Sequence, residues 1–189
     1  MAKKNPKIDD TFEHDKLYDF GVDVKSRTIK LIGDIDEDSF YILSCNLTTL
    51  ENESNQPIKI ILKTDGGCID SGMAIIERIK SSICEIHIHA MGFIASMGIL
   101  ILASGDKRTC SSMTSFMHHE SSYCISDRHK NNKSYVKVQE NQDIKMCKWL
   151  AKQTKKDYKF WKDLGVHVDH YFEADQAFEY GLIDEVLDI

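Results

Sequence analysis

Hydrophobic and polar residues alternate along several short stretches of the chain, which is the pattern of strands with one buried face. These stretches are Thr28–Gly33, Ile58–Lys63, Cys84–Ala90, Arg108–Cys110, Ser115–His119 and Leu182–Leu187. Several of them end next to glycine or aspartate, which are common in turns. The alternation therefore predicts six strands distributed along the chain.

Between these strands, apolar residues recur three and four positions apart, which predicts helices. One helix begins at the carboxylate-rich turn Asp36–Ser39 and continues to Leu50, a second spans Ile69–Ser81, and a third spans Ala174–Gly181. The run Phe93–Ala103 is apolar on all sides and predicts a buried helix. A long lysine-rich stretch, 134–164, is also predicted to be helical.

Strand and helix alternate at least three times, which favours an α/β fold with a mainly parallel sheet and right-handed crossovers. Residues 26–189 are predicted to form a single domain, because this length suits one hydrophobic core. Residues 1–25 are polar and charged without a clear period. We expect them to form an N-terminal arm or loop.

Composition excludes several classes of protein. Of the 189 residues, 42% are hydrophobic, 24 are Lys or Arg and 30 are Asp or Glu, which gives a net charge of −6. This hydrophobic content suffices for a core, and the negative charge gives no general attraction to nucleic acid. The apolar stretch Met91–Ala103 is shorter than the roughly 20 residues that span a membrane, and the N-terminus lacks a secretory signal. We expect a cytoplasmic protein that binds neither nucleic acid nor a membrane.

Eight histidines and six cysteines raise the question of a metal site or disulfides. The cysteines lie far apart without a C-x-x-C pair, so we expect reduced thiols. Cys110, His118, His119 and Cys124 lie within fifteen residues, but their spacing matches no closed tetrahedral zinc site. We therefore expect neither a metal nor another cofactor.

Functional groups of a parallel α/β fold collect where strands end and helices begin. At one such junction, Asp65–Gly67, two glycines let the backbone turn sharply and leave N–H groups free to face a ligand oxygen. At a second junction, Gly92–Gly98, Ser96 is the single hydroxyl among small and apolar residues. Such a serine is either a helix cap or a partly desolvated nucleophile, and the residues alone leave both interpretations open.

Two adjacent histidines end a predicted strand. Because side chains alternate along a strand, His118 and His119 point to opposite faces, and at most one of them can face Ser96 directly. A serine nucleophile needs a base, and the base needs an acid that orients it. Asp169 fits this last role, because it follows a turn at Gly165 in an otherwise apolar stretch, where a solvated charge is unexpected.

Together these segments resemble ClpP, the proteolytic subunit of the Clp ATP-dependent protease, a family of peptidase rings with a crotonase-like core. The resemblance runs from about Lys25 to Leu187. It rests on segments in family order and at near-family spacing, namely Lys25–Ser39, Gly66–Gly67 with Ser71–Ile75, Ala95–Gly98, and Ala174 with Glu179–Asp184. It implies repeated β-β-α units with a mainly parallel sheet, a protruding helical handle at about 122–162, and an axial loop formed by residues 1–25.

The resemblance implies a serine endopeptidase that hydrolyses peptide bonds of unfolded polypeptides through an acyl-enzyme. Ser96 would be the nucleophile, His119 the general base, and Asp169 the residue that orients His119. The backbone N–H groups of Gly67 and Met97 would form the oxyanion hole, the pair of donors that stabilises the negative charge of the tetrahedral intermediate.

The resemblance further implies that the substrate lies along a strip of residues, Gly66, Cys68, Glu120 and Ser121. Here the sequence departs from the family pattern. Asp65 stands where the family usually has proline, and Glu120 follows the histidine where the family has glutamine. The family's cleavage preference therefore does not carry over to this chain.

The same resemblance also implies an oligomeric assembly and a partner protein. One chain of this length cannot enclose a chamber, so the functional unit would be a homo-oligomer, either a heptameric ring or a tetradecamer of two rings. A Clp ATPase chaperone would deliver unfolded protein or peptide substrate and would make proteolysis ATP-dependent.

Three alternatives remain open at the level of sequence. The first is an assembly subunit that has lost turnover, although a subunit without catalytic duty has no chemical need for Ser96, His119 and Asp169. The second is a phage-encoded protease that serves virion maturation. The third is a crotonase-type acyl-CoA enzyme, which would use the glycine pair on a thioester but has little use for Ser96.

Overall fold

The structure is a computed structural model that describes residues 20–121, 129–166 and 168–188. In this part of the chain, eight strands form one sheet: β1 (Val22–Asp23), β2 (Thr28–Ile32), β3 (Ile58–Thr64), β4 (Ile86–Ala95), β5 (Lys107–Ser111), β6 (Ser115–His118), β7 (His170–Glu173) and β8 (Glu185–Leu187). The helices are α1 (Glu37–Glu53), α2 (Ile69–Lys80), α3 (Met97–Leu102), α4 (His129–Gln153), α5 (Tyr158–Leu164) and α6 (Ala174–Tyr180).

The sheet is mainly parallel, which confirms the predicted fold class. Its strand order is β1-β2-β3-β4-β5-β8, while β6 pairs with β4 and β7 pairs with β6. Among the described strand pairs, β1 with β2 and β6 with β7 are antiparallel, and the others are parallel. The helices that connect the parallel strands provide the crossovers that such a sheet requires.

At β3, the hydrophobic core lies on one face of the sheet. Alternate residues of β3 point to opposite faces, so Ile58, Ile60 and Leu62 are fully buried whereas Lys59 and Lys63 are exposed. Buried leucines and isoleucines of α1, α2 and α3 complete the same cluster. The period-two pattern of the sequence thus sets which face of the sheet the helices cover.

Strand β4 pairs with β3 on one side, and on its other side the neighbouring strand changes along its length. Its first half, His87–Ala90, pairs with β5, whereas Phe93–Ala95 pairs with β6. Gly92 lies between the two halves with φ 69°, a left-handed conformation that glycine adopts without steric cost. This change of neighbour places the carboxyl ends of β4 and β6 side by side.

The ends of the helices follow local sequence signals. The carboxylate of Asp36 accepts a hydrogen bond from the Ser39 N–H at 2.8 Å, and the Ser39 hydroxyl accepts one from the Asp36 N–H, which is a capping box. Helix α6 ends at Gly181, whose φ of 73° is left-handed, as predicted for its terminal glycine.

Two predicted helices differ from the structure. Phe93–Ala95 belongs to β4 and not to the buried helix, which begins at Met97, because an apolar run without polar positions does not distinguish a buried strand from a buried helix. The single helical stretch 134–164 is two helices, α4 and α5. The break between them ends where the Asp157 carboxylate caps α5 by accepting from the Phe160 N–H.

Two strands of the sheet were not predicted. Strand β7 pairs with β6, and β1 pairs with β2 at the end of the predicted arm 1–25. Both strands are short, and β1 has two residues, too few for an alternating pattern. Most of the predicted arm and part of the predicted handle, residues 122–128, lie outside the described residues.

Candidate active site

Ser96 occupies a sharp turn between the end of β4 and the start of α3. Its φ of 54° is left-handed, which is uncommon for a residue with a Cβ and carries backbone strain. The turn is held because the Ser96 N–H donates to the Met117 carbonyl at 2.9 Å and the Ser96 carbonyl accepts from Ile99. The Ser96 hydroxyl caps no N–H of α3, so the helix-cap interpretation is wrong.

His119 follows strand β6 and faces Ser96. Its Nε2 lies 2.8 Å from the Ser96 Oγ, which is hydrogen-bonding distance. The pairing of β6 with the second half of β4 brings these two side chains together. His118 lies on the other side of the strand, as the alternation predicted, and is buried against Trp161.

Asp169 lies close to the other ring nitrogen of His119 without a hydrogen bond to it. Its Oδ1 is 3.7 Å from Nδ1, and its side chain is 53% exposed. The sequence predicted an apolar setting for this carboxylate, and that prediction is wrong. The neighbouring Val168 is exposed as well, so an apolar sequence context did not produce burial here.

The backbone at the glycine pair is tightly packed, with Gly66 against the Ser96 turn and Gly67 against Ile35. A Cβ on Gly66 would lie 2.7 Å from the Ser96 Cβ, and a Cβ on Gly67 would lie 2.3 Å from the Ile35 carbonyl oxygen. Both distances are shorter than non-bonded atoms tolerate. Both residues also have positive φ angles, 106° for Gly66 and 147° for Gly67. For both reasons, only glycine fits at either position.

Two backbone N–H groups next to Ser96 are not used by the regular structure. Ile35 donates to the Gly66 carbonyl at 2.9 Å and accepts from Cys68 at 2.7 Å, so this bridge leaves the intervening Gly67 N–H unused. Met97 is the first residue of α3, where an N–H has no partner within the helix. Both groups are available to a ligand oxygen.

A cavity of about 380 Å³ opens beside Ser96 and His119. Its apolar wall includes Ile69, Met97, Leu100, Ile144, Met146 and Trp161. Helices α4 and α5 supply much of this wall, which the sequence prediction missed. The spacing of Glu140, Asp143, Ile144 and Cys147 by three and four residues along α4 is the signal that could have identified it.

Two of the four predicted substrate-strip residues line this cavity. These two are Glu120 and Ser121, whereas the buried Gly66 packs against the Ser96 turn. Cys68 is exposed at the start of α2. Hydrogen bonds from the backbone and side chain of Ser71 lower the pKa of the Cys68 thiol below its usual value.

Burial shifts the pKa of two groups in the cavity wall. Burial lowers the pKa of His118 to about 4, because a charged imidazole would be desolvated there. Burial, with the nearby Asp143 carboxylate, raises the pKa of the Cys147 thiol to about 11. Both side chains are therefore neutral near pH 7.

In the described part of the chain, no three histidine, cysteine, aspartate or glutamate side chains are arranged to hold a metal ion. Of the residues weighed for zinc, Cys124 lies outside that part. The helices that the structure describes include none that is long and apolar enough to cross a membrane.

Comparison with known proteins gives three consistent findings. The family model of the Clp protease matches residues 13–189. The ATP-dependent Clp protease proteolytic subunit 2 of Corynebacterium efficiens is 29% identical over 168 residues, which cover 87% of this chain and 83% of that protein. A point variant of ClpP1 from Listeria monocytogenes has the same fold, with a TM-score of 0.81 at 23% identity over 88% of this chain and 94% of that one.

Proposed function

Because this chain belongs to the Clp protease family, we propose that it hydrolyses peptide bonds of unfolded polypeptides through an acyl-enzyme formed on Ser96. The family makes the protein a peptidase, which is a hydrolase. The observation that supports the residue assignment is the 2.8 Å distance between the Ser96 Oγ and the His119 Nε2. A hydroxyl that hydrogen-bonds to an imidazole has a base in place to accept its proton.

In the first step, the Ser96 Oγ attacks the carbonyl carbon of the scissile bond while His119 takes the hydroxyl proton. The carbonyl oxygen becomes an oxyanion, and the N–H groups of Gly67 and Met97 are the donors assigned to it. Each such donor stabilises the transition state by roughly 3 kcal/mol. His119 then gives its proton to the leaving amine, and the acyl group remains on Ser96.

In the second step, water attacks the acyl-enzyme and His119 accepts the proton of that water. The second tetrahedral intermediate uses the same two N–H donors. Its collapse breaks the ester bond, and His119 returns the proton to the Ser96 Oγ. The peptide acid leaves and the free enzyme is restored.

Asp169 is assigned to orient His119 and to stabilise its protonated form. At 3.7 Å the carboxylate attracts the imidazolium but does not fix the ring through a hydrogen bond. A small movement of the exposed segment that carries Asp169 would bring the two atoms within hydrogen-bonding distance. The proposal includes this approach during the catalytic cycle.

The assembly and the partner belong to the proposal as well. A homo-oligomeric ring, heptameric or paired, would enclose the Ser96 sites, and a Clp ATPase would deliver unfolded chains to them at the expense of ATP. The relative from Corynebacterium efficiens carries ATP dependence in its name, which supports this part.

The proposal is tested by replacing Ser96 with alanine and His119 with glutamine in the full chain. We expect both variants to lose hydrolysis of short fluorogenic peptides and to lose covalent labelling by a fluorophosphonate, because only an activated serine reacts with that reagent. Assembly, measured by mass photometry, should not change. Unchanged hydrolysis by the Ser96→Ala variant would overturn the assignment.

The exposure of Asp169 favours one second candidate, an assembly subunit with weak or no turnover. Labelling by the fluorophosphonate distinguishes the two. A subunit whose His119 is not oriented would leave Ser96 unlabelled in the assembled protein, whereas the peptidase would label at a rate that falls in an Asp169→Asn variant.

A further inference from the structure

The cavity beside Ser96 combines an apolar wall with acidic groups. Glu120, Glu140 and Asp143 line it, whereas Lys162 is the only lysine or arginine among its described lining residues. Among these same residues, the structure gives no ion pair that neutralises any of the three carboxylates. The cavity therefore has an excess of negative charge next to the nucleophile.

Asp143 is the carboxylate whose position is best fixed. It lies half-buried on α4, and its Oδ1 accepts a hydrogen bond from the Ser121 hydroxyl. The preceding residue, Gln142, donates to Asp70 on α2 at 3.0 Å, which ties α4 to the body of the molecule. These contacts hold the Asp143 carboxylate in the cavity wall, and no described residue hydrogen-bonds to its second oxygen.

His118, whose side chain lies on the other side of β6 from His119, also lines the cavity and carries a buried acceptor. Its Nε2 lies 3.1 Å from the Trp161 carbonyl, which can only accept, so Nε2 carries the hydrogen and Nδ1 is an acceptor. This Nδ1 is buried and has no hydrogen-bond partner among the described residues, and His118 is 94% buried. An unpaired buried acceptor is costly unless a donor reaches it.

The position of the cavity indicates which side of the scissile bond it adjoins, namely the side of the carbonyl that Ser96 attacks. Gly67 and Met97, which are assigned to the oxyanion, both line it. When the carbonyl oxygen faces these N–H groups, the side chain next to that carbonyl points into the adjoining space. In the proposed peptidase, the side chain of the residue acylated onto Ser96 would therefore enter this cavity.

Resting on the proposed function, we infer that this cavity selects substrates with lysine or arginine on the acyl side of the cleaved bond. The apolar wall of Ile69, Leu100 and Ile144 suits a long aliphatic stem. The carboxylates of Asp143 and Glu140 suit the cation at its end. Arginine and lysine supply donors only, which matches a wall that offers acceptors.

The inference is tested with fluorogenic peptides that differ only in the residue before the cleaved bond. Norleucine matches the lysine stem without its ammonium group, so the ratio of kcat/KM for lysine over norleucine isolates the charge. We expect this ratio to be at least about tenfold, the effect of one hydrogen bond to a charged group, and we expect a glutamate peptide to be the poorest substrate.

Two variants test whether the preference for lysine comes from the Asp143 carboxylate. Asp143→Asn keeps the shape and removes the charge, and we expect the lysine-to-norleucine ratio to fall by about tenfold. Glu77→Gln is the matched control, because Glu77 is an exposed helix carboxylate outside the cavity, and it should leave the ratio unchanged. A ratio that stays the same in Asp143→Asn, or that falls equally in Glu77→Gln, contradicts the inference.

The outcomes separate this inference from the proposed function. A wild-type protein that labels with fluorophosphonate at Ser96 but cleaves norleucine or leucine peptides better than lysine peptides keeps the proposed function and overturns the inference. A protein that neither labels nor cleaves loses both. Where cleavage of peptides is slow, peptidyl phosphonates with lysine or norleucine give the same ratio from the rate of Ser96 labelling.

Discussion

At the scale of single residues, the candidate active site depends on glycines as much as on the groups assigned to chemistry. Gly66 lies so close to Ser96 that a side chain would push the serine away from His119. Gly33 has nearly the same backbone angle, φ 103° against 106°, but a Cβ there would meet no atom within 4 Å. Comparing substitutions at Gly33 and Gly66 therefore separates the effect of backbone strain from the effect of contact with Ser96.

We expect Gly33→Ala to lower the free energy of unfolding by about 1–2 kcal/mol through backbone strain, and Gly66→Ala to lower it further, because its Cβ also overlaps Ser96. Only Gly66→Ala should also lose peptide hydrolysis and fluorophosphonate labelling, because only there does the new Cβ meet Ser96. Urea unfolding and labelling rates measure the two effects. Equal activity in the two variants would contradict this account of the site.

His118 makes the stability of the protein sensitive to acid. Burial lowers its pKa in the folded state to about 4, and His119 and His170 add to the effect, whereas the ordinary value is 6.5. Between these values the unfolded chain binds the proton and the folded chain does not. Stability should therefore fall as the pH drops from about 6.5 to about 4.

The full cost at His118 corresponds to about 3 kcal/mol. A His118→Leu variant should lose stability at pH 7, because the Trp161 carbonyl loses its donor, but it should show a shallower decline between pH 6.5 and pH 4. Urea midpoints over this range test the prediction. Parallel declines in the two proteins would show that His118 is not the group responsible.

At the scale of elements, the turn before β2 secures the end of α1. The guanidinium of Arg27 donates to the carbonyls of Leu50, Ser54, Gln56 and Pro57, which lie at the end of α1 and in the loop that follows. Helix ends leave such carbonyls without partners, and Arg27 satisfies several of them at once. One side chain thus connects β2, α1 and the start of β3.

We expect Arg27→Lys to lower the free energy of unfolding by about 2 kcal/mol, because an ammonium cannot reach several divergent carbonyls as a planar guanidinium does. Fluorophosphonate labelling should persist, since Arg27 is remote from Ser96 in the fold. An unchanged urea midpoint would contradict the assigned role.

Strand β4 positions the residues of the candidate active site. Because its second half pairs with β6 instead of β5, the serine after β4 meets the histidine after β6. Helices α4 and α5 then close the cavity beside them. In the proposed peptidase, the Ser96–His119 pair and the cavity that receives the substrate side chain therefore come from different elements.

At the scale of the whole molecule, one chain leaves large apolar side chains uncovered. Tyr41, Ile83, Met113, Val168 and Tyr171 are each more than 60% exposed. In the proposed ring, neighbouring subunits would cover part of this surface.

We expect mass photometry of the full chain to give particles of seven or fourteen times the mass of one subunit. With a net charge of −6 on each subunit, the ring carries considerable negative charge, so assembly should strengthen as salt screens the repulsion. A monomer at all salt concentrations would contradict the enclosed-chamber proposal.

The sequence by itself determined the parts of this protein that depend on local order. Alternation and helical spacing gave most strands and helices, and the segments around Gly66, Ser96 and His119 identified the residues that the structure brings together. These features are readable because a period of 2 or 3.6 residues and a turn-forming glycine act within a few positions.

Only the tertiary structure decided the features that depend on contacts between distant segments. It showed that Phe93–Ala95 continues β4, that Asp169 is exposed at 3.7 Å from His119, and that α4 and α5 wall the cavity. An apolar run can be buried as a strand or as a helix, and a carboxylate can follow apolar residues into solvent. The choice between these outcomes lies in the packing of segments far apart in the chain, which local patterns do not encode.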